Sequence, residues 1–350
     1  MTDFYIIRIF LLTTLAFIFA IAWTPILTNI LYKYKLGKQI RDNGATPLYS
    51  KMHAHKAGTP TMGGILIWLT VLIFILLFYC LAKFLPWDIF KNLDFLSRGQ
   101  TLLPLGVLVA TALVGLFDDW LDVSGKGVLR GGGFTVKYRL AVYTIIAIIG
   151  ALWFYFKLDW DVFHVPFVGN FQLGWSYILI FIFVIVATAF SVNETDGLDG
   201  LAGGVLLTSF GAYGAISFIL ERYDLATFCG VIVGALLAFL WFNIIPARFI
   251  MGDTGAMSLG ITLGIIAMLT NSVLILPIIG FIFVIESISV IIQILSKKLR
   301  GGKKIFLSTP IHHHFEAKGW PEPKIVMRFW VIAGVTAAIG LIVFLLDKTM

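Results

Sequence analysis

Stretches of about 20 consecutive apolar residues recur along the whole chain, and they constrain its fold more than any other feature. A helix of about 20 residues spans the hydrocarbon core of a bilayer, which is roughly 30 Å thick. The composition agrees, because 59% of the 350 residues are hydrophobic and only 13% are charged, against roughly 25% charged in a typical soluble domain. The sequence therefore predicts an all-α polytopic membrane protein.

Ten of these stretches are predicted to be transmembrane helices. The polar segments between them are too short for an independent core, so residues 1–350 are interpreted as a single integral membrane domain. β-branched and aromatic residues around Gly169 and Asn170 predict a small hairpin within residues 159–175. The predicted spans cover residues 5–31, 62–85, 101–117, 138–156, 175–192, 198–219, 225–244, 256–270, 272–296 and 325–346.

Most of the 26 lysines and arginines fall on one predicted face of the membrane, which the positive-inside rule assigns to the cytoplasm. With ten spans, both termini and the hairpin would then be periplasmic. The basic run at 296–304 is interpreted either as a contact for anionic lipids or as an attraction for a multiply charged substrate. No basic domain suited to nucleic acid is present in the sequence. The predicted cytoplasmic segments are 32–61, 118–139, 193–197, 245–255 and 297–324.

Acidic motifs lie in these predicted inner segments, and each has a structural and a functional interpretation. Asp118 and Asp119 follow an apolar run, where adjacent carboxylates are either solvated helix ends or face a cation. In Met-Gly-Asp-Thr-Gly, Asp253 could be a helix N-cap or a metal ligand. The three histidines at 312–314 lack the ligand spacing of a tetrahedral metal site, so metal binding by them is the less favoured interpretation.

The inner face thus combines carboxylates with basic residues and glycine-rich backbone. Mg²⁺ prefers carboxylate oxygens together with substrate phosphates, and phosphoryl transfer depends mainly on charge neutralisation and positioning. Because no soluble domain is predicted, one reactant is expected to be a lipid and the other a soluble phosphorylated compound. A transporter, the alternative class, would place ionisable groups near mid-membrane. Glu286 is such a group, and either a functional role or a core role is open for it.

Five segments resemble the phospho-N-acetylmuramoyl-pentapeptide transferase family, and the resemblance covers almost the whole chain. The histidine-containing segment is the most specific of them. The segments are KAGTPTMGG (56–64), LFDDWLD (116–122), NETDGLDGLAGG (193–204), FIMGDTGAMSLG (249–260) and LRGGKKIFLSTPIHHHFEAKGWPEP (299–323).

The resemblance implies ten transmembrane helices, a homodimer, Mg²⁺ as cofactor and an active site facing the cytoplasm from the bacterial inner membrane. The family transfers phospho-MurNAc-pentapeptide from UDP-MurNAc-pentapeptide to undecaprenyl phosphate, which gives lipid I and UMP. A sister transferase that moves GlcNAc-1-phosphate to a polyprenyl phosphate is the nearer alternative, and it would share the aspartates and the metal.

The resemblance also assigns roles by motif position. Asp118 and Asp119 match the family's aspartate pair, of which the first is the proposed base. Asp253 matches the magnesium ligand, His312 matches a histidine that supports the site, and Lys137 matches a lysine near the diphosphate. The positions that match the lining of the nucleoside and catalytic pocket are Lys56, Thr61, Asn193, Asp196, Gly197, Leu198, Asp199, Asn243 and Gln293.

One position departs from the family pattern. The family usually has an aromatic residue directly before Met-Gly-Asp, placed to contact uracil, whereas this chain has Ile250 there and Phe249 one residue earlier. Either Phe249 substitutes through a local shift or the stacking on the base is weaker.

Overall fold

The computed structural model describes residues 2–37, 56, 58–125 and 133–350. Parts of the predicted inner segments 32–61 and 118–139 therefore lie outside the described residues. The helices are α1 (Thr2–Lys33), α2 (Ile65–Phe84), α3 (Asp88–Leu93), α4 (Leu102–Ser124), α5 (Val136–Lys157), α6 (Ser176–Thr195), α7 (Leu201–Ile219), α8 (Tyr223–Asn243), α9 (Gly252–Leu269), α10 (Leu276–Ile279), α11 (Phe281–Leu299), α12 (Ile311–Ala317) and α13 (Glu322–Thr349). The strands are β1 (Val162–Val165) and β2 (Gly169–Gln172).

The helices confirm the predicted all-α membrane architecture. In the described part of the chain, nine helices are long and apolar enough to cross a membrane, and a bent pair makes a tenth if it counts as one span. Strands β1 and β2 pair antiparallel, with His164 opposite Asn170, which confirms the predicted hairpin.

The ninth predicted span, 272–296, is bent. The segment Val273–Ile279 meets α11 at an angle of 85°, with Gly280 at the break and Pro277 in the first turn of α10. Hydropathy does not detect this bend, because both arms are apolar. One face of α11 is left exposed, as in Ile288, Ile291 and Ile294, which are 47%, 48% and 59% exposed.

Helix α9 forms the centre of the bundle and packs mainly against α4 and α6. Every residue from Thr254 to Leu269 is buried. Glycines permit this close packing: a Cβ on Gly260 would lie 3.1 Å from the Cα of Ala189 in α6. A helix buried on all sides in this way can hold polar groups at its end in a fixed position relative to its neighbours.

Candidate active site

The first turn of α9 crosses α4 at Gly115. A Cβ at Gly115 would lie 2.4 Å from the carbonyl oxygen of Asp253, so only glycine permits this approach of the two backbones. Helix α4 continues to Ser124, past the end at 117 that hydropathy predicts. Asp118 and Asp119 therefore lie on the helix, one turn beyond Gly115 and directly beside the start of α9.

Asp119 caps α9. Its Oδ1 and Oδ2 accept hydrogen bonds from the backbone amides of Asp253 and Thr254, each at 3.0 Å. The Thr61 hydroxyl also donates to Asp119, at 3.3 Å. The first amides of a helix have no partner within the helix, and a buried carboxylate satisfies them here. The capping role that the sequence left open for Asp253 thus belongs to Asp119.

A four-residue cluster, Asp118, Arg139, Asn193 and Asp253, joins α4, α5, α6 and α9. We call it the aspartate–arginine cluster. Arg139 Nε lies 2.8 Å from Asp118 Oδ2, its Nη2 lies 2.6 Å from Asp253 Oδ2, and its Nη1 donates to Asn193 Oδ1 at 3.2 Å. Asn193 Nδ2 donates to Asp253 Oδ1 at 2.5 Å. Asp118 also accepts a hydrogen bond from the amide of Phe134.

These four side chains lie at one end of the bundle. Asp118 and Asn193 are near the C-terminal ends of their helices, whereas Arg139 and Asp253 are near the N-terminal ends of theirs. Antiparallel spans bring these ends to the same face. The polar groups therefore gather at one membrane boundary, as the sequence predicts.

The sequence pattern did not point to Arg139, and the predicted residue was Lys137, two positions earlier. Lys137 has an exposed side chain, while Arg139 contacts three members of the cluster. Residues two apart point to different sides of a helix, so only one of this pair can face α4. The string Val-Lys-Tyr-Arg holds both basic residues, but it does not reveal which helix face is buried.

A second charged group joins Lys56, Asp199 and Glu322. Lys56 Nζ lies 2.8 Å from Asp199 Oδ1 and 2.5 Å from Glu322 Oε1. Burial alone would lower the pKa of Lys56, but the two carboxylates outweigh it and raise that pKa above its usual value. Lys56 is thus a fixed cation at neutral pH. Glu322 was not singled out from the sequence.

Three other predicted pocket residues hold loops in place. Asn243 accepts a hydrogen bond from the Gly200 amide and donates to the Phe249 carbonyl. Gln293 accepts from the amides of Ile305 and Phe306. Asp196 accepts from the amide of Gly252, at 3.2 Å. Their contacts fix the loops around the site.

His312 is fully buried and is held by Glu286. The distance from His312 Nδ1 to Glu286 Oε2 is 2.9 Å, and neither side chain is exposed. Gly197 packs against the other side of the ring, where a Cβ would lie 2.2 Å from His312 Nε2, and Leu198 beside it is also buried. Glu286, whose role the sequence left open, thus orients the histidine.

Phe249 belongs to the core. It is 0% exposed and packs against the rings of Phe239 and Phe242. A Cβ at Gly63 would lie 2.4 Å from Phe249 Cδ2, so the ring is enclosed. The structure therefore gives no support to Phe249 as a substitute for the family's uracil-contacting aromatic residue.

The site is rich in carboxylate oxygens, the type of ligand that a hard cation prefers. Four carboxylates, those of Asp118, Asp119, Asp196 and Asp253, surround the start of α9 near the guanidinium of Arg139. Within the described ranges, no group of three or more His, Cys, Asp or Glu side chains is arranged to hold a metal ion. Carboxylate oxygens combined with substrate phosphates match the coordination that Mg²⁺ prefers.

Together, the apolar spans and the acidic cluster at one membrane boundary define a polytopic membrane protein with a charged site at its helix ends. Family models match the chain in two places. The Glycosyl transferase family 4 model matches residues 101–271, and the phospho-N-acetylmuramoyl-pentapeptide-transferase signature 1 matches residues 56–67.

Curated relatives with the name phospho-N-acetylmuramoyl-pentapeptide-transferase align over nearly the full length. One from Chloroflexus aggregans is 38% identical over 346 residues, 95% of this chain and 89% of the relative. One from Listeria monocytogenes serovar 1/2a is 39% identical over 329 residues, 94% of this chain and 95% of the relative. The chain belongs to the phospho-N-acetylmuramoyl-pentapeptide-transferase family and is a membrane transferase.

Proposed function

We propose that this chain transfers phospho-MurNAc-pentapeptide from UDP-MurNAc-pentapeptide to undecaprenyl phosphate, giving lipid I and UMP. The aspartate–arginine cluster at one membrane boundary is the observation that carries the proposal, since a lipid phosphate and a soluble nucleotide can meet there. The names of the relatives favour this donor over the UDP-GlcNAc of a sister transferase.

The active site is proposed to face the cytoplasm of the bacterial inner membrane. Segments 32–61 and 297–324 are the richest in lysine and arginine, which favours the cytoplasmic side for them. Lys56 of the first and Glu322 of the second both contact Asp199, so these segments lie at the same end of the bundle as the cluster. Both termini and the hairpin would then be periplasmic. A homodimer is proposed from the family resemblance alone.

Mg²⁺ is proposed as the cofactor, with Asp253 as its ligand. Among the described contacts, the carboxylates of Asp118, Asp119 and Asp253 share one cation, Arg139, so a diphosphate would be repelled unless a metal offset that charge. When bound, Mg²⁺ would neutralise charge on the diphosphate. Arg139 and Asn193 hold the Asp253 carboxylate in position for this role.

Asp118 is the better candidate for the base. Asp119 uses both of its oxygens to cap α9. Asp118 instead pairs with Arg139 and accepts from the Phe134 amide, and the family resemblance assigns the base to this first aspartate. In the proposed single displacement, an oxygen of undecaprenyl phosphate attacks the β-phosphorus of the donor. The bond from the β-phosphorus to the bridging oxygen breaks, UMP leaves, and Asp118 takes any proton that the attacking phosphate carries. Attack by an aspartate to form a covalent intermediate is the alternative route.

The uridine is proposed to bind near Lys56, Asp199 and the adjoining Leu198, while Thr61, which contacts Asp119, lines the pocket toward the start of α9. Among the described residues, Asp199 and Glu322 use two of the three N–H groups of Lys56, and the third is proposed to meet the ligand. The group of one cation and two carboxylates has a net negative charge, so it suits the neutral, hydrogen-bonding base better than the diphosphate.

The lipid tail is proposed to lie beside the bent ninth span. An apolar cavity of about 210 Å³ lies at the bend, with Pro277 and Phe283 on one side and Thr188 and Val192 on the other. Val192 directly precedes Asn193 of the aspartate–arginine cluster. The exposed isoleucines of α11 leave this side of the molecule open to lipid.

Purified protein in detergent would test the proposed reaction. UMP release is expected only when UDP-MurNAc-pentapeptide, Mg²⁺ and undecaprenyl phosphate are all present. Release from UDP-GlcNAc instead would assign the protein to the sister transferases, and no release from either donor would contradict a transferase function.

Arg139→Lys is expected to lower kcat about tenfold. Lysine keeps the positive charge, but one ammonium cannot reproduce the fork of a guanidinium that contacts Asp118, Asn193 and Asp253 together. Lys137→Gln on the same helix is the companion variant, and its kcat is expected to fall less than threefold because Lys137 is exposed. If steady-state assays show a larger fall in kcat for Lys137→Gln than for Arg139→Lys, the catalytic role belongs to Lys137 and not to Arg139.

A further inference from the structure

Helix α13 contacts the 193–204 segment, which carries Asn193, Asp196 and Asp199, although more than 100 residues separate them in sequence. Glu322, in the first turn of α13, makes the first contact. Its Oε1 accepts a hydrogen bond from the Asp199 amide at 2.7 Å, and the same oxygen lies 2.5 Å from Lys56 Nζ. One carboxylate thereby fixes both the Asp199 backbone and the Lys56 ammonium.

Trp330, two turns further along α13, makes the second contact. Its Nε1 donates to the Gly200 carbonyl at 3.1 Å. Two glycines make room for the indole: a Cβ at Gly204 would lie 2.0 Å from Trp330 Nε1, and a Cβ at Gly200 would lie 3.5 Å from Trp330 Cζ2. Gly200 also has φ of +81°, a conformation that favours glycine. This packing fixes the turn at both Asp199 and Gly200.

The contacts of Glu322 are buried enough to be energetically significant. The side chains of Lys56, Asp199 and Glu322 are 12%, 10% and 12% exposed. Ion pairs at such positions are screened much less than surface pairs. With Asp199 as its only partner, the Lys56 ammonium could adopt several orientations. The second partner, Glu322, restricts it to one.

We propose that Glu322 and Trp330 are positioning residues for donor binding, and that they act by holding Lys56 and the turn at Asp199 and Gly200 in the nucleotide-binding arrangement. This inference rests on the proposed function, in which Lys56 and Asp199 contact the uridine. It predicts an effect on the UDP donor and none on the lipid acceptor, because neither residue belongs to the aspartate–arginine cluster.

Glu322→Gln tests the charge of the carboxylate. The amide oxygen still accepts the Asp199 N–H, but its hold on Lys56 is weaker, since hydrogen bonds to charged groups are roughly twice as strong as neutral ones. We expect the KM for UDP-MurNAc-pentapeptide to rise about tenfold, with kcat and the KM for undecaprenyl phosphate within threefold of wild type. UMP affinity measured by calorimetry should fall by a similar factor.

Two further variants separate positioning from folding. Trp330→Phe keeps an aromatic ring but removes the indole N–H together with part of the bicyclic ring, and it should raise the donor KM about threefold with kcat within threefold of wild type. The double variant Lys56→Met/Glu322→Gln is compared with Lys56→Met alone. Its donor KM should be less than twofold higher, because the Glu322 carboxylate acts through Lys56. Asp88→Asn is the control: the Asp88 side chain in α3 is 84% exposed, and this variant should match wild type.

The outcomes distinguish this inference from the proposed function. Unchanged donor KM and UMP affinity in Glu322→Gln and Trp330→Phe, with normal wild-type turnover, would overturn the inference and leave the function intact. A lower melting temperature with kcat reduced and KM unchanged would show a merely structural role and would also overturn it. Wild-type protein that binds UMP but does not turn over the muramoyl donor would overturn the proposed function, while weaker UMP binding in Glu322→Gln would still support the positioning role.

Discussion

Asp253→Asn is expected to lower kcat about 1000-fold while the protein remains folded. The substitution removes the negative charge that is proposed to hold Mg²⁺ but keeps nearly the same volume and one oxygen for Asn193 or Arg139. Losing a preorganised electrostatic contact to the transition state typically costs about 100- to 1000-fold, and loss of the metal would place this variant at the upper end.

Steady-state UMP release at increasing Mg²⁺ would measure this effect. Saturating Mg²⁺ is expected to restore little activity in Asp253→Asn, since the ligand itself has been altered. Asp88→Asn, which makes the same chemical change at an exposed position, should retain wild-type kcat. Activity of Asp253→Asn within tenfold of wild type would contradict a metal role for this residue.

Asp119→Ala is expected to destabilise the fold by about 3 kcal/mol, the largest stability effect that the site predicts. The alanine leaves the amides of Asp253 and Thr254 without their acceptor at the buried start of α9. An unsatisfied buried donor costs about 1–3 kcal/mol, and hydrogen bonds to charged groups contribute about 1.5–3 kcal/mol each.

Unfolding in mixed detergent, followed by tryptophan fluorescence, would give this free energy difference. Asp119→Asn keeps one acceptor oxygen and should lie between alanine and wild type. Asp88→Ala should change the stability by less than about 0.5 kcal/mol, as expected for an exposed position. An Asp119→Ala variant as stable as wild type would show that the cap contributes nothing.

The architecture could be predicted because the membrane imposes it. Backbone groups in hydrocarbon must be satisfied within a helix, so each apolar stretch of sufficient length becomes a span. Apart from the C-terminal end of α4, the predicted ends lie close to the observed ones. The bend at Gly280 was missed because hydropathy measures the polarity of a segment and not its direction. The extra turns that carry Asp118 and Asp119 were missed because polar residues at a membrane boundary continue a helix as readily as they end it.

The acidic motifs of the site could be predicted from the sequence, but the role of each residue could not. Asp118 and Asp119 are adjacent, yet a rotation of 100° per residue around α4 directs one to Arg139 and the other to the amides of α9. Asn243 matches a pocket position, but its side chain hydrogen-bonds to the loops at Gly200 and Phe249. Such roles depend on which helices pack together. The role of Glu322, for example, can be inferred only once the structure places α13 beside Asp199.

The start of α9, beside Asp118 and Arg139, is proposed to hold a divalent cation together with the donor diphosphate. The most direct measurement is an anomalous diffraction map of crystals grown with Mn²⁺ and UDP-MurNAc-pentapeptide. A peak within coordination distance of the Asp253 carboxylate and a donor phosphate oxygen is the predicted result. A bound donor with no Mn²⁺ peak at Asp253, or with its diphosphate away from the aspartate–arginine cluster, would contradict a metal and diphosphate site at the start of α9.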